Sequence, residues 1–251
     1  MIIKNDLLGY PCLTIYQDDQ MFHFSIDSML LASFATIYKK TKNVLDFCSG
    51  NCPIPLYLTL RTEAKIDAVE IQKEVYELGR KSIEENKLEN QINLVSGDIK
   101  DITNIFTPSS YDLVTCNPPF FKVDPNSNLN KNDYLTIARH EIMLNLEDVI
   151  RGASKMLKDG GLFSMIYPPT RLQEVFSLLE KYHLNATRMR AVYPKRGSEC
   201  NHVLLEARKQ SGKNKNLHIL SPLYLYKRSN VWTKETLEIY NYRQQKVDCN
   251  N

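Results

Sequence analysis

Through the middle of the chain, short unbroken apolar runs alternate with longer stretches whose apolar residues recur every three or four positions. The first pattern predicts buried strands and the second amphipathic helices. Strands are expected over residues 43–47, 65–70, 92–95, 111–116 and 162–167, with two more near 188–193 and 202–207. Helices are expected over 53–60, 72–87, 144–157 and 169–182, and in the second of these Val75, Leu78 and Ile83 share one face. Gly160 and Gly161 follow the third helix, where glycine suits a left-handed stop. Strands that alternate with helices, and that are apolar throughout, imply an open α/β sheet with helices on both faces. Seven strands, mostly parallel, are expected, with ligands at their C-terminal ends near the point where strand order reverses.

Two flanking segments depart from the alternation. Residues 12–38 predict a β-hairpin about Asp18-Asp19, then a helix capped by Ser25 or Asp27. At the other end, residues 210–216 are a Lys/Asn/Gly linker, residues 217–226 a possible strand and residues 233–243 a last helix. The chain therefore divides into an N-terminal hairpin and helix (1–40), a core (41–209) and a short C-terminal extension (210–251). Residues 122–135 are polar and Asn-rich, as expected of a loop.

At 251 residues, with 43% of them hydrophobic and 24% charged, the chain suits one core with appendages. No apolar run approaches the roughly 18 residues that span a bilayer, and the first residues lack the order of a signal peptide, so a cytoplasmic site is expected. The cysteines Cys12, Cys48, Cys52, Cys116, Cys200 and Cys249 include no C-x-x-C pair, which predicts free thiols and no metal site. Charge changes the picture more. Residues 181–228 hold eleven Lys/Arg against Glu199 and Glu206, a net +9, while the whole chain carries +3. Residues 229–251 are neutral on balance, so the first 180 residues sum to −6. An acidic body with a basic C-terminal part points to a polyanionic partner.

Candidate chemistry lies just after four successive strands. Val44-Leu45-Asp46-Phe47-Cys48-Ser49-Gly50-Asn51-Cys52 is a strand-to-helix turn in which only Gly50 remains of the glycines that let a backbone approach a ligand. Glu70 ends the next strand, placed to accept the ribose hydroxyls of an adenosyl ligand. Gly97-Asp98 follows the third strand, with a carboxylate for an adenine amino group and Ile99 to pack on the ring. The fourth is Thr115-Cys116-Asn117-Pro118-Pro119-Phe120-Phe121. Two prolines after a buried strand end its pairing and fix a rigid turn with carbonyls directed outward, beside the Asn117 carbonyl. An exocyclic amine is a poor nucleophile because its lone pair is delocalised into the ring. Two acceptors gripping its N–H bonds favour the pyramidal nitrogen that attacks a methyl group, and Phe120 offers a stacking wall for a flipped base.

With these residues in view, the chain resembles the tRNA1(Val) adenine-37 N6-methyltransferase family, class I methyltransferases with a Rossmann-like fold. The likeness extends to Phe24-Ser25-Ile26-Asp27 and onward to Phe34, to Val69-Glu70-Ile71-Gln72, and to Ile137-Ala138-Arg139-His140-Glu141. It also takes in residues 146–150, Val192-Tyr193-Pro194-Lys195-Arg196 and residues 217–226, nearly the whole chain. The resemblance implies that Asp27, Asp46, Cys48, Gly50, Glu70, Ile71, Asp98, Ile99 and Asn117 hold S-adenosylmethionine. It implies equally that Asn117, Pro118, Pro119 and Phe120 form the catalytic clamp on the adenine. Phe121, Arg139, Arg188, Arg190, Lys195 and Arg196 are expected to meet the tRNA, and the enzyme is expected to be a monomer without metal. Cys52 stands where the family has glycine, a departure that bears on cofactor affinity. His140 and Glu141 are a candidate acid–base pair or an anchor for the preceding loop.

Three rival readings have distinct signatures. An NAD-linked oxidoreductase needs the G-x-G-x-x-G turn that Cys48 and Cys52 interrupt, and leaves N-P-P-F without a role. A non-catalytic RNA-binding protein has Cys52 as its support. A protein-glutamine N5-methyltransferase shares N-P-P-F but does not explain the +9 segment.

Overall fold

The structure, a computed structural model, describes residues 1–7, 10–18, 26–118, 145–209, 216–228 and 231–240. Its main sheet is built from β3 (Asn43–Phe47), β4 (Lys65–Glu70), β5 (Ile92–Ser96), β6 (Tyr111–Cys116), β7 (Leu157–Tyr167), β8 (Leu184–Tyr193) and β9 (His202–Lys209). Their spatial order is β8-β9-β7-β6-β3-β4-β5. The five strands from β7 to β5 run parallel, and β9 lies antiparallel between β7 and β8. The seven strands are thus the expected, mostly parallel ones. Two two-residue strands, β10 (His218–Ile219) and β11 (Leu223–Tyr224), extend the sheet beyond β8.

Alternation along each strand sorts side chains onto two faces. Val44, Ile66, Leu113, Leu162 and Leu204 join one apolar cluster with α1 (Ile26–Phe34), α2 (Pro53–Thr59) and α3 (Lys73–Glu85). Their neighbours Leu45, Val69, Val114, Phe163 and Leu205 face the other cluster, with α4 (Ile102–Ile105), α5 (Leu146–Met156) and α6 (Leu172–Lys181). Helices on both faces leave the strand ends as the open edges of the fold.

At the N-terminus β1 (Ile2–Leu7) pairs antiparallel with β2 (Tyr10–Asp18), upstream of the expected hairpin, whose pivot at Asp18-Asp19 runs into residues outside the described ones. Non-local bonds set this pairing. Tyr16 N donates to Ser82 Oγ at 2.9 Å and Thr14 N to Asn86 Oδ1 at 2.8 Å, which ties β2 to α3. Asn51 Nδ2 donates to Tyr16 O at 2.7 Å and so ties the same strand to the turn after β3.

The expected glycine stop of the third helix is also corrected. Asn145 caps α5 through a 2.8 Å bond from Asp148 N, but the helix ends at Met156, where Leu157 turns to extended backbone. Gly160, at φ 77°, and Gly161 instead lie within β7. A Cβ on Gly161 would stand 2.9 Å from Lys158 O and 3.1 Å from Tyr111 O, so glycine permits the close approach of β7 to β6.

In the C-terminal extension, the single strand expected over 217–226 is broken into β10, β11 and the start of β12 (Tyr226–Arg228), which pairs with β13 (Val231–Trp232). The last helix is α7 (Lys234–Tyr240). Leu223 and Leu225 enter the same apolar cluster as α1, with Trp232 and Tyr240 packed against it. No helix among the described residues is long and apolar enough to cross a membrane. Cys48, Cys52, Cys116 and Cys200 are free thiols, whereas Cys12 is disulfide-bonded and so departs from the free-thiol expectation.

Candidate active site

The ends of β3, β4, β5 and β6 lie along one edge of the sheet, and strand order reverses between β3 and β6. Open α/β sheets hold ligands in the crevice at that point. After Phe47 the chain turns through Cys48, Gly50 and Cys52, with φ of 53°, 58° and 69°. The loop therefore keeps the left-handed backbone of a glycine turn at three alternate positions, although two carry side chains that resist it by roughly 1 kcal/mol each. Ser49 N donates to Val69 O at 3.0 Å, Cys52 N to Ser49 O at 2.9 Å and Gly50 N to Glu70 Oε2 at 2.8 Å. A Cβ on Gly50 would meet nothing within 4 Å, so the tip of the loop borders open space. Cys52 is fully buried, and its sulfur lies 3.1 Å from where a Gly79 Cβ would stand. The thiol packs under the loop against α3 and does not occupy the crevice.

Asp46 is buried beneath this loop, accepting from Ser49 Oγ at 2.7 Å and Thr115 Oγ1 at 2.5 Å. Burial pushes its carboxyl up to about 7, with Glu70 adding to the rise and the two hydroxyl bonds opposing it. Thr115 thus links β6 to the base of the β3 turn. Cys116 beside it is buried; burial and a hydrogen bond with the Cys48 side chain hold its thiol well above the ordinary value.

Glu70 is 5% exposed, and its Oε1 accepts from Gln72 N at 2.9 Å. Ile71 next to it is exposed, an apolar surface at the strand end. Asp98 Oδ1 accepts from Lys100 N at 2.9 Å and caps the turn Ile99–Asp101, while the Ile99 side chain is buried with Phe47 and Val69.

Asn117 follows β6. Its Nδ2 reaches Ser28 Oγ of α1 at 3.5 Å, and its Oδ1 is buried with no hydrogen-bond partner among the described residues. Buried acceptors left unpaired are costly, of order 1–3 kcal/mol, so this oxygen is open to a donor from a ligand or from water. Pro118 is buried directly behind it. Asp27, one residue before Ser28, lies 3.6 Å from His202 Nδ1 at the start of β9. Pro119, Phe120, Phe121, Arg139, His140 and Glu141 lie outside the described residues.

Five basic residues are expected to meet RNA; Arg139 lies outside the described residues, and the structure separates the other four. Arg188 lies over the Phe34 ring at 4.2 Å, donates to Phe34 O and reaches Glu206 at 3.5 Å. Arg190 donates to Ser221 O at 3.0 Å and pairs with Glu235 of α7. Both side chains thus brace the fold, although the buried Arg188 Nε has no hydrogen-bond partner among the described residues. Lys195 and Arg196 are exposed in the turn after β8, closed by Ser198 N to Lys195 O at 3.2 Å with Gly197 at φ 79°. Ser49, Thr115 and Ser28 escaped the sequence reading as site partners. Ser49 and Thr115 at least sit inside the motifs that flagged their neighbours. His202 carries no such signal. A depression of about 560 Å³ lined by Tyr38, Lys42, Arg61 and Lys65 opens at the opposite ends of the strands and contains none of these residues.

A doubly wound sheet with a glycine-type turn, an acid at the second strand end and N-P-P after the fourth defines a class of group-transfer enzyme. The chain belongs to the methyltransferase-domain family, whose model matches residues 38–230. A tRNA1(Val) (adenine(37)-N6)-methyltransferase of Phocaeicola vulgatus is 26% identical over 81% of this chain and 84% of its own. Its counterpart in Porphyromonas gingivalis is 29% identical over 82% of each chain. Among solved structures, a predicted O-methyltransferase from Agrobacterium tumefaciens matches with a TM-score of 0.69 at 22% identity, covering 86% of this chain and 96% of its own, a likeness of fold alone.

Proposed function

We propose that this protein transfers a methyl group from S-adenosylmethionine to the N6 amino group of an adenine in tRNA, with adenine 37 of a valine tRNA as the substrate. The observation that carries the reading is the unpaired, buried Asn117 Oδ1 directly before Pro118. An acceptor so placed suits a donor N–H brought by a ligand. The similarity to relatives named for this reaction supports the choice of amine.

The residues present fit the cofactor. The open tip at Gly50 admits its methionine part, Glu70 places a carboxylate at the end of β4 for the ribose hydroxyls, exposed Ile71 offers apolar contact, and Asp98 accepts from the adenine amine. When bound, it supplies a methyl group on a sulfonium sulfur. Asn117 Oδ1 accepts one N–H of the target amine and the Pro118 carbonyl the other, which turns the nitrogen lone pair towards that methyl. With S-adenosylmethionine bound, Asn117 and Pro118 would hold the amine in line with the methyl that the sulfonium supplies, and the proton the amine then loses would pass to water. Residues 41–209 act as the catalytic core in this reading, flanked by 1–40 and 210–251. The enzyme works in the cytoplasm as a monomer.

Mass spectrometry of valine-tRNA transcripts incubated with purified protein and cofactor tests this, the product being N6-methyladenosine. Asn117→Ala is expected to lower kcat by about a hundredfold or more, on the order of 3 kcal/mol, and to keep cofactor affinity within a few fold. A variant retaining over about half the wild-type rate would remove the clamp. Label found in protein glutamine and absent from tRNA would replace the reading with protein methylation.

A further inference from the structure

The C-terminal extension does more than close the sheet. Leu223 pairs with Val192 and Tyr224 with Tyr193, and the zip continues as Leu225 N donates to Tyr193 O at 2.9 Å and Tyr226 N to Pro194 O at 2.8 Å. The backbone of the extension is thereby fixed beside the Lys195–Ser198 turn. The Tyr193 and Tyr224 rings lie 5.4 Å apart, and the Arg196 guanidinium stands 5.8 Å over the Tyr224 ring. Tyr226 and Trp232 are stacked and pack against the apolar core; Tyr193 and Tyr224, tilted at 35°, belong to neither core cluster. Lys195, Arg196, Lys227 and Arg228 are exposed around them, and none of the four enters a salt bridge among the described residues.

β8 runs in the same direction as β6, so this cluster emerges on the edge that carries Asn117. The intervening order β6-β7-β9-β8-β11 makes four strand spacings, about 19 Å. That is a few nucleotides from the clamp, within one RNA loop. Aromatic faces interleaved with unpaired cations suit unpaired bases and their phosphates, since bases stack on tyrosine and arginine planes. An acidic peptide would use the charges and leave the tyrosine faces idle.

We propose that Tyr193, Tyr224 and Arg196 form a stacking platform for unpaired nucleotides flanking the target adenine, with Lys195, Lys227 and Arg228 holding their phosphates. This rests on the tRNA reading above. The test is steady-state methylation of a valine-tRNA transcript together with calorimetry of cofactor binding. Tyr224→Leu, which keeps apolar volume and loses the ring, raises the tRNA KM about tenfold with kcat and cofactor affinity unchanged, and Tyr224→Phe stays near wild type. The exposed pair Lys227→Gln and Arg228→Gln, tested together in case Tyr224→Leu fails to fold, makes the log–log salt slope of tRNA binding shallower by about one to two units. Wild-type slope in that pair, or a folded Tyr224→Leu with wild-type KM, overturns the platform alone while wild-type methylation stands. Wild-type protein that neither binds nor methylates the transcript overturns the tRNA reading and the platform with it.

Discussion

Asp46 sits fully buried under the turn after β3, and burial raises its carboxyl to about 7. The folded state therefore holds a proton that the unfolded chain releases at the ordinary 3.8. A raised folded value means that the contribution to stability is fully present below 3.8 and is lost as pH rises through about 7. Asp46→Asn stays neutral and keeps an acceptor for Thr115 or Ser49. Urea denaturation across this range should show wild type losing stability relative to Asp46→Asn as pH rises. A constant difference between the two proteins would mean that Asp46 ionises as an exposed carboxylate does. Cys48 and Cys52 show the same control of a residue by its surroundings. Side chains there do not abolish the left-handed turn, because the backbone bonds of Ser49, Gly50 and Cys52 hold it.

At the scale of elements, the turn and α3 are fitted to each other. A Cβ on Gly79 would lie 2.8 Å from Leu94 Cδ2, 3.1 Å from the Cys52 sulfur and 3.2 Å from Gly50 O. The leucine tip can swing away, whereas the loop carbonyl and buried thiol cannot do so without moving the turn. Gly79→Ala is expected to cost on the order of 1–3 kcal/mol and to weaken cofactor binding several-fold. Cys52→Ala in the same chain removes one of the three obstacles and should recover part of both losses. A double-mutant cycle by denaturation and calorimetry measures the coupling, and strict additivity would show that the two side chains do not compete for the same space. Most strands and helices were legible in the sequence because their apolar period is local. The pairing of β1 with β2 and the end of α5 were not, because Ser82 and Asn86 hold β2 from far along the chain and β6 draws Leu157 into β7.

At the scale of the whole molecule, the +9 stretch divides into cations that hold the fold and cations that remain available. Arg190 ties β8 to Ser221 and Glu235, so Arg190→Ala should lower unfolding free energy by about 1–2 kcal/mol and leave the salt dependence of tRNA binding intact. Lys195→Ala with Arg196→Ala should do the reverse, leaving the melting temperature near wild type while the log–log slope becomes shallower by about one to two units. Melting curves and fluorescence anisotropy at several salt concentrations compare the two. Equal slopes in both variants would take Lys195 and Arg196 out of the RNA footprint.

By itself the sequence determined the strand–helix alternation, the acid at the end of β4 and the N-P-P turn after β6. Each is written in neighbouring residues, where hydrophobic period and proline chemistry act over a few positions. Only the tertiary structure decided what those residues meet. It brought Ser28 of α1 to Asn117 and Thr115 to Asp46, and it left Asn117 Oδ1 without a partner among the described residues. It also spent Arg188 and Arg190 on Phe34, Glu206, Ser221 and Glu235 while leaving Lys195 and Arg196 exposed. A long side chain in a list of charges has no fixed partner. Its role follows from which acceptors other parts of the chain bring within its reach, and that choice is made across distances no local pattern records.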